Sequence, residues 1–344
     1  MSADENGCRC IIPTIIMIKK MINRAKPSTT EMAITEVSAI IATTITKVNI
    51  HSGWDQNGIT VAGGNGKGNR LDQLDTPRGL DIDADGSVYV TDLGNKRIVR
   101  WRPNATNGEI FTCGDETHNF HTPYYVVIDK KSNSIIICYY ATRVLVRCSL
   151  RNPTNYQIIA RDIGCFGVTI DHDGAVYVSD LNNFAVKRWR EGESNGTIVA
   201  GGYGKGKDLD QLDGPTYLFV DKDYSVYVSD TNNHRVMKWA KDAKEGILVA
   251  GNVDPTDDPR LKLSQPYGLF VDCLSNVHVV DYNHHQVMLW SNGLQEVRVV
   301  IGGYEVGDKP YQLNLPHGLA VDRQGNFYVV DYMNNRVQKF DVDD

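Results

Sequence analysis

GGNGKGNRLDQLD, running from Gly63 to Asp75, sets a cluster of glycines around Lys67. Glycine-freed backbone amides beside a lysine are how many loops hold the phosphates of a nucleotide. Other stretches raise other chemistries. DIDADG, residues 81–86, spaces Asp81, Asp83 and Asp85 as a calcium loop does, with Asp92 at the twelfth place. His234, His278, His284 and His285 are nitrogen donors of the kind that bind zinc. Asn104-Ala-Thr106 and Asn195-Gly-Thr197 are acceptor triplets for N-linked sugars on expected outer loops, with meaning only in a secreted chain.

Spacing argues against the first two. The glycine stretch returns as GGYGKGKDLDQLD from Gly201 to Asp213, and weaker copies follow Val249 and Val300. Lys67 and Lys205 each precede Gly instead of Ser or Thr, and Val61 and Val199 stand where a phosphate loop places its first glycine. No helix-forming run follows to supply an amino-terminal dipole. The glycines are expected to provide positive φ in loops between strands. Strands also flank DIDADG where a calcium loop has helices, so a hairpin turn is preferred. The four histidines fall on repeated slots of different copies.

Six copies share one frame around Asp83, Asp129, Asp171, Asp221, Asp272 and Asp322. Six residues before each stands Pro77, Pro123, Cys165, Pro215, Pro266 or Pro316. Nine after comes Asp92, Cys138, Asp180, Asp230, Asp281 or Asp331, and eighteen after comes Trp101, Arg147, Trp189, Trp239, Trp290 or Phe340. Within a copy, RGLDID and SVYVTD alternate as strands around a tight turn, IVRWR follows LGNKR, and TVAGG or IVAGG supplies a fourth strand. Four-stranded repeats of about 50 residues indicate propeller blades. The chain ends after the third strand of the sixth copy, while GITVAGG at 58–64 is a fourth strand with no copy before it. That strand is predicted to complete the last blade and hide both open edges. The predicted fold is all-β: a six-bladed propeller over residues 53–344, preceded by a poorly ordered extension over 1–52.

D-x-x-N-x-R recurs intact at Asp92–Arg97, Asp230–Arg235 and Asp331–Arg336. Its Arg can give a forked, charge-assisted hydrogen bond to an Asp of its own or a neighbouring blade, a structural role. At these residues the chain resembles NHL repeats, whose pattern is P-x-G-L-x-[VI]-D…G-x-[VFL]-Y-V-[ST]-D-x-x-N-x-R-[VI]-x-[KR]-[WF]. The resemblance spans roughly residues 58–340. Copy two departs from it most, with Cys138 for the Asp, Ala141 for the Asn and VRCSL for the aromatic. A looser blade is preferred there over a partner-binding lip. Cys138 and Cys165 lie in neighbouring copies, and buried free thiols are preferred over a disulfide.

The resemblance implies divided functions: protein-binding platforms, RNA binders, and a minority of enzymes such as the peptidyl-hydroxyglycine lyase and lactonase-like relatives. LPHGL around His317 looks like one zinc segment of that lyase, but the other post-proline positions add no histidine. Catalytic zinc takes three protein ligands. His317 is therefore expected to line the channel as a hydrogen bonder.

Composition narrows the field. The seven cysteines form no zinc framework of CxxC pairs. The first fifty residues hold six Lys or Arg and four Asp or Glu; the remaining 30 basic and 38 acidic residues give a net of −8. An acidic body disfavours broad nucleic-acid binding. CIIPTIIMIKKMINRAK has an apolar run of about eight residues, short of the roughly 20 that span a bilayer, and it follows Asp4 and Glu5, which suits a secretory signal poorly. The sequence assigns no compartment. The reading is a monomeric, non-catalytic binding module with a protein or peptide partner and neither cofactor nor metal. Its contact set is Arg78, Tyr124, Phe166, Thr216, Tyr267 and His317, each directly after the strand-opening residue, plus Tyr125 and Tyr217. The alternative is a metal-dependent lyase or lactonase-like enzyme working in the channel.

Overall fold

The computed structural model describes residues 54–114, 120–251, 261–293, 296–303 and 305–342. The extension over 1–52 lies outside them. Six antiparallel four-stranded sheets form the blades. In chain order, inner strand first, blade 1 comprises Pro77–Ile82, Val88–Asp92, Arg97–Trp101 and Glu109–Phe111. Blade 2 comprises Pro123–Asp129, Ser134–Tyr139, Val144–Ser149 and Tyr156–Arg161, and blade 3 Cys165–Ile170, Val176–Asp180, Ala185–Trp189 and Thr197–Gly201. Blade 4 comprises Pro215–Val220, Val226–Asp230, Arg235–Trp239 and Ile247–Ala250, and blade 5 Pro266–Val271, Val277–Asp281, Gln286–Trp290 and Val297–Gly302. Blade 6 takes Pro316–Val321, Phe327–Asp331 and Arg336–Phe340 from the end of the chain and Ile59–Gly63 from its beginning. Pairing runs Ile59 with Lys339 through Gly63 with Arg336, so the ring closes as the strand count requires. Trp54 extends the seam by bridging to Val342 and stacking on Phe327 at 4.3 Å.

The second strand of every blade is buried along its whole length, which is why it reads as a run of Val, Ile and Tyr with little polar interruption. Trp101, Trp239, Trp290 and Phe340 close the third strands as fully buried plates between blades. One residue before the second-strand Asp, a hydroxyl crosses to the next blade: Thr91 Oγ1 donates to Tyr124 O at 3.0 Å, and Ser229 Oγ to Tyr267 O at 2.6 Å. At three junctions another link reaches the next blade's pre-proline amide. Asn335 Oδ1 accepts from Thr76, His234 Nδ1 from Gln265 and His285 Nδ1 from Leu315. Two of the histidines that could suggest metal are thus blade fasteners.

Blade 2 corrects the sequence frame. Asp129 pairs with Ser134 and Pro123 with Tyr139, whereas blade 1 pairs Pro77 with Asp92. Its first turn holds one extra residue, so Tyr139 takes the Asp slot and Thr142 the Asn slot. Val144 takes the Arg slot and Cys148 the aromatic slot. Counting from Asp129 missed this because a turn insertion shifts everything after it without disturbing the alternation. Cys138 then sits in the hydroxyl slot of Thr91 and Ser229, and it is disulfide-bonded to Cys165 of blade 3 at a Cα separation of 5.5 Å. The free-thiol reading is overturned: the strands approach closely enough to bond. A second disulfide joins Cys113, beyond the outer strand of blade 1, to Cys148. Nor is the blade loose. It lacks the polar motif but has strands of six or seven residues and a covalent tie to each neighbour.

Two outcomes follow. A chain lacking residues 1–64 leaves the Arg336–Phe340 edge unpaired; size-exclusion and melting experiments should show aggregation and no cooperative monomer, and a monomer melting like the full chain would contradict closure. The double variant Cys138→Ser/Cys165→Ser should lose about 2–4 kcal/mol in urea unfolding.

Candidate functional site

The glycine-rich stretches use their backbone inward. Arg97 gives Nε to Asp92 Oδ2 at 2.7 Å and spends its fork on the carbonyls of Asn69, Arg70 and Gln73. Asn95 bridges Asp92 and Gly68 O, and the Asp75 amide donates to Asp92 Oδ1 at 2.7 Å. Arg235 and Arg336 repeat this on the loops before Pro215 and Pro316. The carboxylate is thus the hub that straps the fourth-to-first loop over its own blade. Burial pushes the Asp92, Asp230 and Asp331 carboxyls upward, and the donors around each pull it back. In blade 5, His284 takes the Asn place and donates Nδ1–H to Asp281 Oδ2 at 2.8 Å, a bond that raises the imidazole's pKa. Gly66 and Gly204 adopt φ of +79° and +88°, which a side chain resists. Lys67 and Lys205 pair with Asp75 and Asp213. No phosphate cradle remains.

DIDADG is likewise a turn. The Asp83 amide donates to Ser87 O, and Asp81 accepts from the amides of Ile82 and Ile128 while Asp92 serves Arg97. The Asp81 and Asp92 oxygens are therefore spent in two different places.

Post-proline side chains converge on the ring axis from all sides. At its centre His317 of blade 6 is fully buried. Its Nε2 meets Arg78 Nη1 of blade 1, and its Nδ1 lies 2.7 Å from the Tyr217 hydroxyl of blade 4. Tyr217 also donates to Arg78 O at 3.1 Å. Around the imidazole stand Tyr267 at 4.2 Å between centroids, Tyr217 at 5.6 Å, Phe166 at 6.2 Å and Tyr124 at 6.4 Å. Burial, reinforced by the Arg78 charge, drives the His317 pKa well below its ordinary value. Burial raises the Tyr217, Tyr124 and Tyr125 phenols, so all stay neutral donors.

The expected contact set divides. Arg78, Tyr124, Phe166, Tyr217, Tyr267 and His317 meet as one cluster, but Phe166, Tyr217 and His317 are buried floor and not exposed mouth. Thr216 is buried and pairs with Thr231 Oγ1 at 2.6 Å, away from the imidazole. Tyr125 packs edge-on against Tyr217 at 4.8 Å, where Gly79 leaves room for its ring. Three rim residues escaped the sequence reading: Tyr140, Tyr282 and Tyr332, each following the last residue of a second strand. Tyr332 lies under the Arg78 guanidinium at 4.5 Å, Tyr282 beside Tyr267 at 5.0 Å, and Tyr140 beside Tyr124 at 5.6 Å with 40% of its surface exposed. Arg78 Nε is buried and meets no hydrogen-bond partner among the described residues. The dipeptides Asp281-Tyr282 and Asp331-Tyr332 were a usable signal; Tyr140 was hidden by the one-residue slip.

His317 does not fit a zinc ligand. Both ring nitrogens are engaged, and a guanidinium cation occupies the side from which a metal would bind. Among the described residues, no three His, Cys, Asp or Glu side chains gather as a metal would need.

Blades, seam and filled axis define a six-bladed β-propeller. The family model described as NHL repeat matches residues 74–101 and 313–340, so the propeller carries NHL repeats in blades 1 and 6, on either side of the seam. It is similar to a structural genomics protein of unknown function from Bacteroides thetaiotaomicron, with 17% identity, 83% of this chain and 75% of that chain covered, and a TM-score of 0.65. An auxiliary nutrient binding protein from the same species matches at 13% identity over 83% of this chain and 76% of that one, TM-score 0.63. A virginiamycin B lyase from Staphylococcus aureus, solved with quinupristin, matches at 11% identity over 83% and 87%, TM-score 0.53. At such identities the likeness is one of fold.

The buried imidazole sets a pH response. Below about pH 6.5 the unfolded chain protonates this histidine while the folded chain resists, so acidification through that window favours unfolding, by at most about 1.4 kcal/mol per pH unit. Urea unfolding at pH 7.5 and 5.0 should show a smaller loss in His317→Gln than in the wild type. An equal loss would refute a neutral, buried His317.

Proposed function

We propose that this propeller is a non-catalytic binding module that takes a protein or peptide partner on the face where the inner strands begin. One observation carries the reading: the axis is closed by side chains bonded to one another, with His317 at the centre, and an aromatic rim surrounds that floor. A filled axis offers a surface for recognition and no chamber for chemistry. Tyr140, Tyr282 and Tyr332 present rigid rings with polar tips, the side chains that anchor interfaces at low entropic cost. The half-buried Arg78 adds a positive charge beside the rim for a partner's carboxylate. Acidic balance over the ring disfavours a nucleic-acid partner.

The similar nutrient binding protein makes binding a familiar use of the fold, and the similar lyase makes catalysis another. Arg78 on His317 Nε2 weighs against the metal-dependent lyase or lactonase-like alternative.

The test compares Tyr140→Ala/Tyr332→Ala with Leu274→Ala, an exposed site on the opposite face. Partners captured by the wild type should bind the rim variant at least tenfold more weakly, a loss of about 1.4 kcal/mol or more, and bind Leu274→Ala unchanged. A rim variant that keeps every partner refutes this surface. Stoichiometric zinc in dialysed protein would favour the enzyme instead.

A further inference from the structure

Disulfides and sugar-acceptor triplets are independent features of this chain, and the fold gives them one meaning. Antiparallel blades place the third-to-fourth-strand turns at the end opposite the aromatic rim, because Trp101 pairs with Val88 at the far end of the strand from Asp92. Asn104-Ala-Thr106 lies in that turn of blade 1, and Asn195-Gly-Thr197 runs from that turn of blade 3 onto the first residue of its fourth strand. Asn104, Thr106, Asn195 and Thr197 are all exposed, and Asn104 sits at φ +61° in a tight turn. The equivalent turn of blade 2 carries Asn152-Pro153-Thr154, also exposed, but its central proline bars modification. It is a built-in control.

An acceptor triplet alone means little, since it is used only where the transferase works. The condition is supplied by blade 2, whose Cys113–Cys148 and Cys138–Cys165 bonds tie it to both neighbours in place of the missing Asp–Asn–Arg strap. Structural disulfides of this kind form and persist in oxidising compartments.

We propose that the propeller matures in an oxidising secretory compartment and carries N-linked glycans on Asn104 and Asn195, on the face turned away from the rim. In the transfer, Asn Nδ2 bonds the first sugar's anomeric carbon, the bond from that carbon to a lipid-linked pyrophosphate breaks, and the amide releases a proton. As each S–S bond forms, its two thiols give up two S–H bonds, passing two electrons and two protons to the disulfide of a thiol–disulfide oxidoreductase, which is reduced to a dithiol. Glycans on that face leave Tyr140, Tyr282 and Tyr332 uncovered.

The full chain, placed behind a secretory leader in cultured animal cells, tests this by glycosidase-shift gels and peptide mass mapping without reduction. The expected product loses two mobility steps on deglycosylation, one step in Thr106→Ala and one in Thr197→Ala, with Asn152 unmodified and both disulfides present. Asn104→Gln and Asn195→Gln, which reach the same loss through the acceptor itself, should repeat those single steps. Secreted, folded protein with neither asparagine modified overturns the proposal. So does a chain that folds only in a reducing cytosol with Cys113, Cys138, Cys148 and Cys165 all open to alkylation.

Discussion

Ring closure is the constraint on which everything else rests. Five residues from the start of the described chain, Ile59–Gly63, pair with Arg336–Phe340 at its end. Without that pairing two edges stand open, and each blade's apolar face depends on a neighbour to cover it. The axial cluster spans the same closure: His317 belongs to blade 6, Arg78 to blade 1 and Tyr217 to blade 4. A ring that failed to close would separate these partners and expose a buried imidazole. Fold and site are therefore one cooperative object.

Within each blade a second economy operates around a buried carboxylate. Isolating a charge from water costs several kcal/mol unless donors surround it. Asp92, Asp230 and Asp331 each collect Asn, Arg and backbone donors, and the same Arg fastens the loop that leads into its own blade through three carbonyls. Asp180 uses Asn183 and Lys187, and Asp281 uses His284. Blade 2 abandons the carboxylate altogether. Tyr139 fills its place, and covalent bonds to both neighbours take over the fastening. Polar strap and disulfide are two solutions to one problem, holding a thin wedge in angular register.

The axis shows what a propeller can do when its centre is filled. Six inner strands bring side chains from six copies to one point, so identical slots acquire different chemistry. Arg78, Tyr124, Phe166, Thr216, Tyr267 and His317 occupy the same place in successive blades. Hydrogen bonds to one imidazole, a phenol-to-carbonyl bond, ring contacts and a cation over rings join the cluster. Symmetry of the backbone thus yields an asymmetric floor.

Much of this was legible in the chain itself. Alternating strands, the Pro and Asp frame and the orphan strand at 58–64 determined a closed six-bladed ring, because strand period and repeat length are local properties that hydrogen bonding converts directly into sheets. The post-proline slots also pointed to the axis. What the chain alone could not decide was register and approach. One added residue in the Asp129 turn moved Cys138 out of the Asp slot, and only the packed blades brought it to Cys165. Likewise, only the circle set Tyr217 against His317, one hundred residues away, and placed Tyr140, Tyr282 and Tyr332 as the rim. Local pattern specifies each wedge; which side chains meet is decided by the angle between wedges, and no linear spacing records that angle.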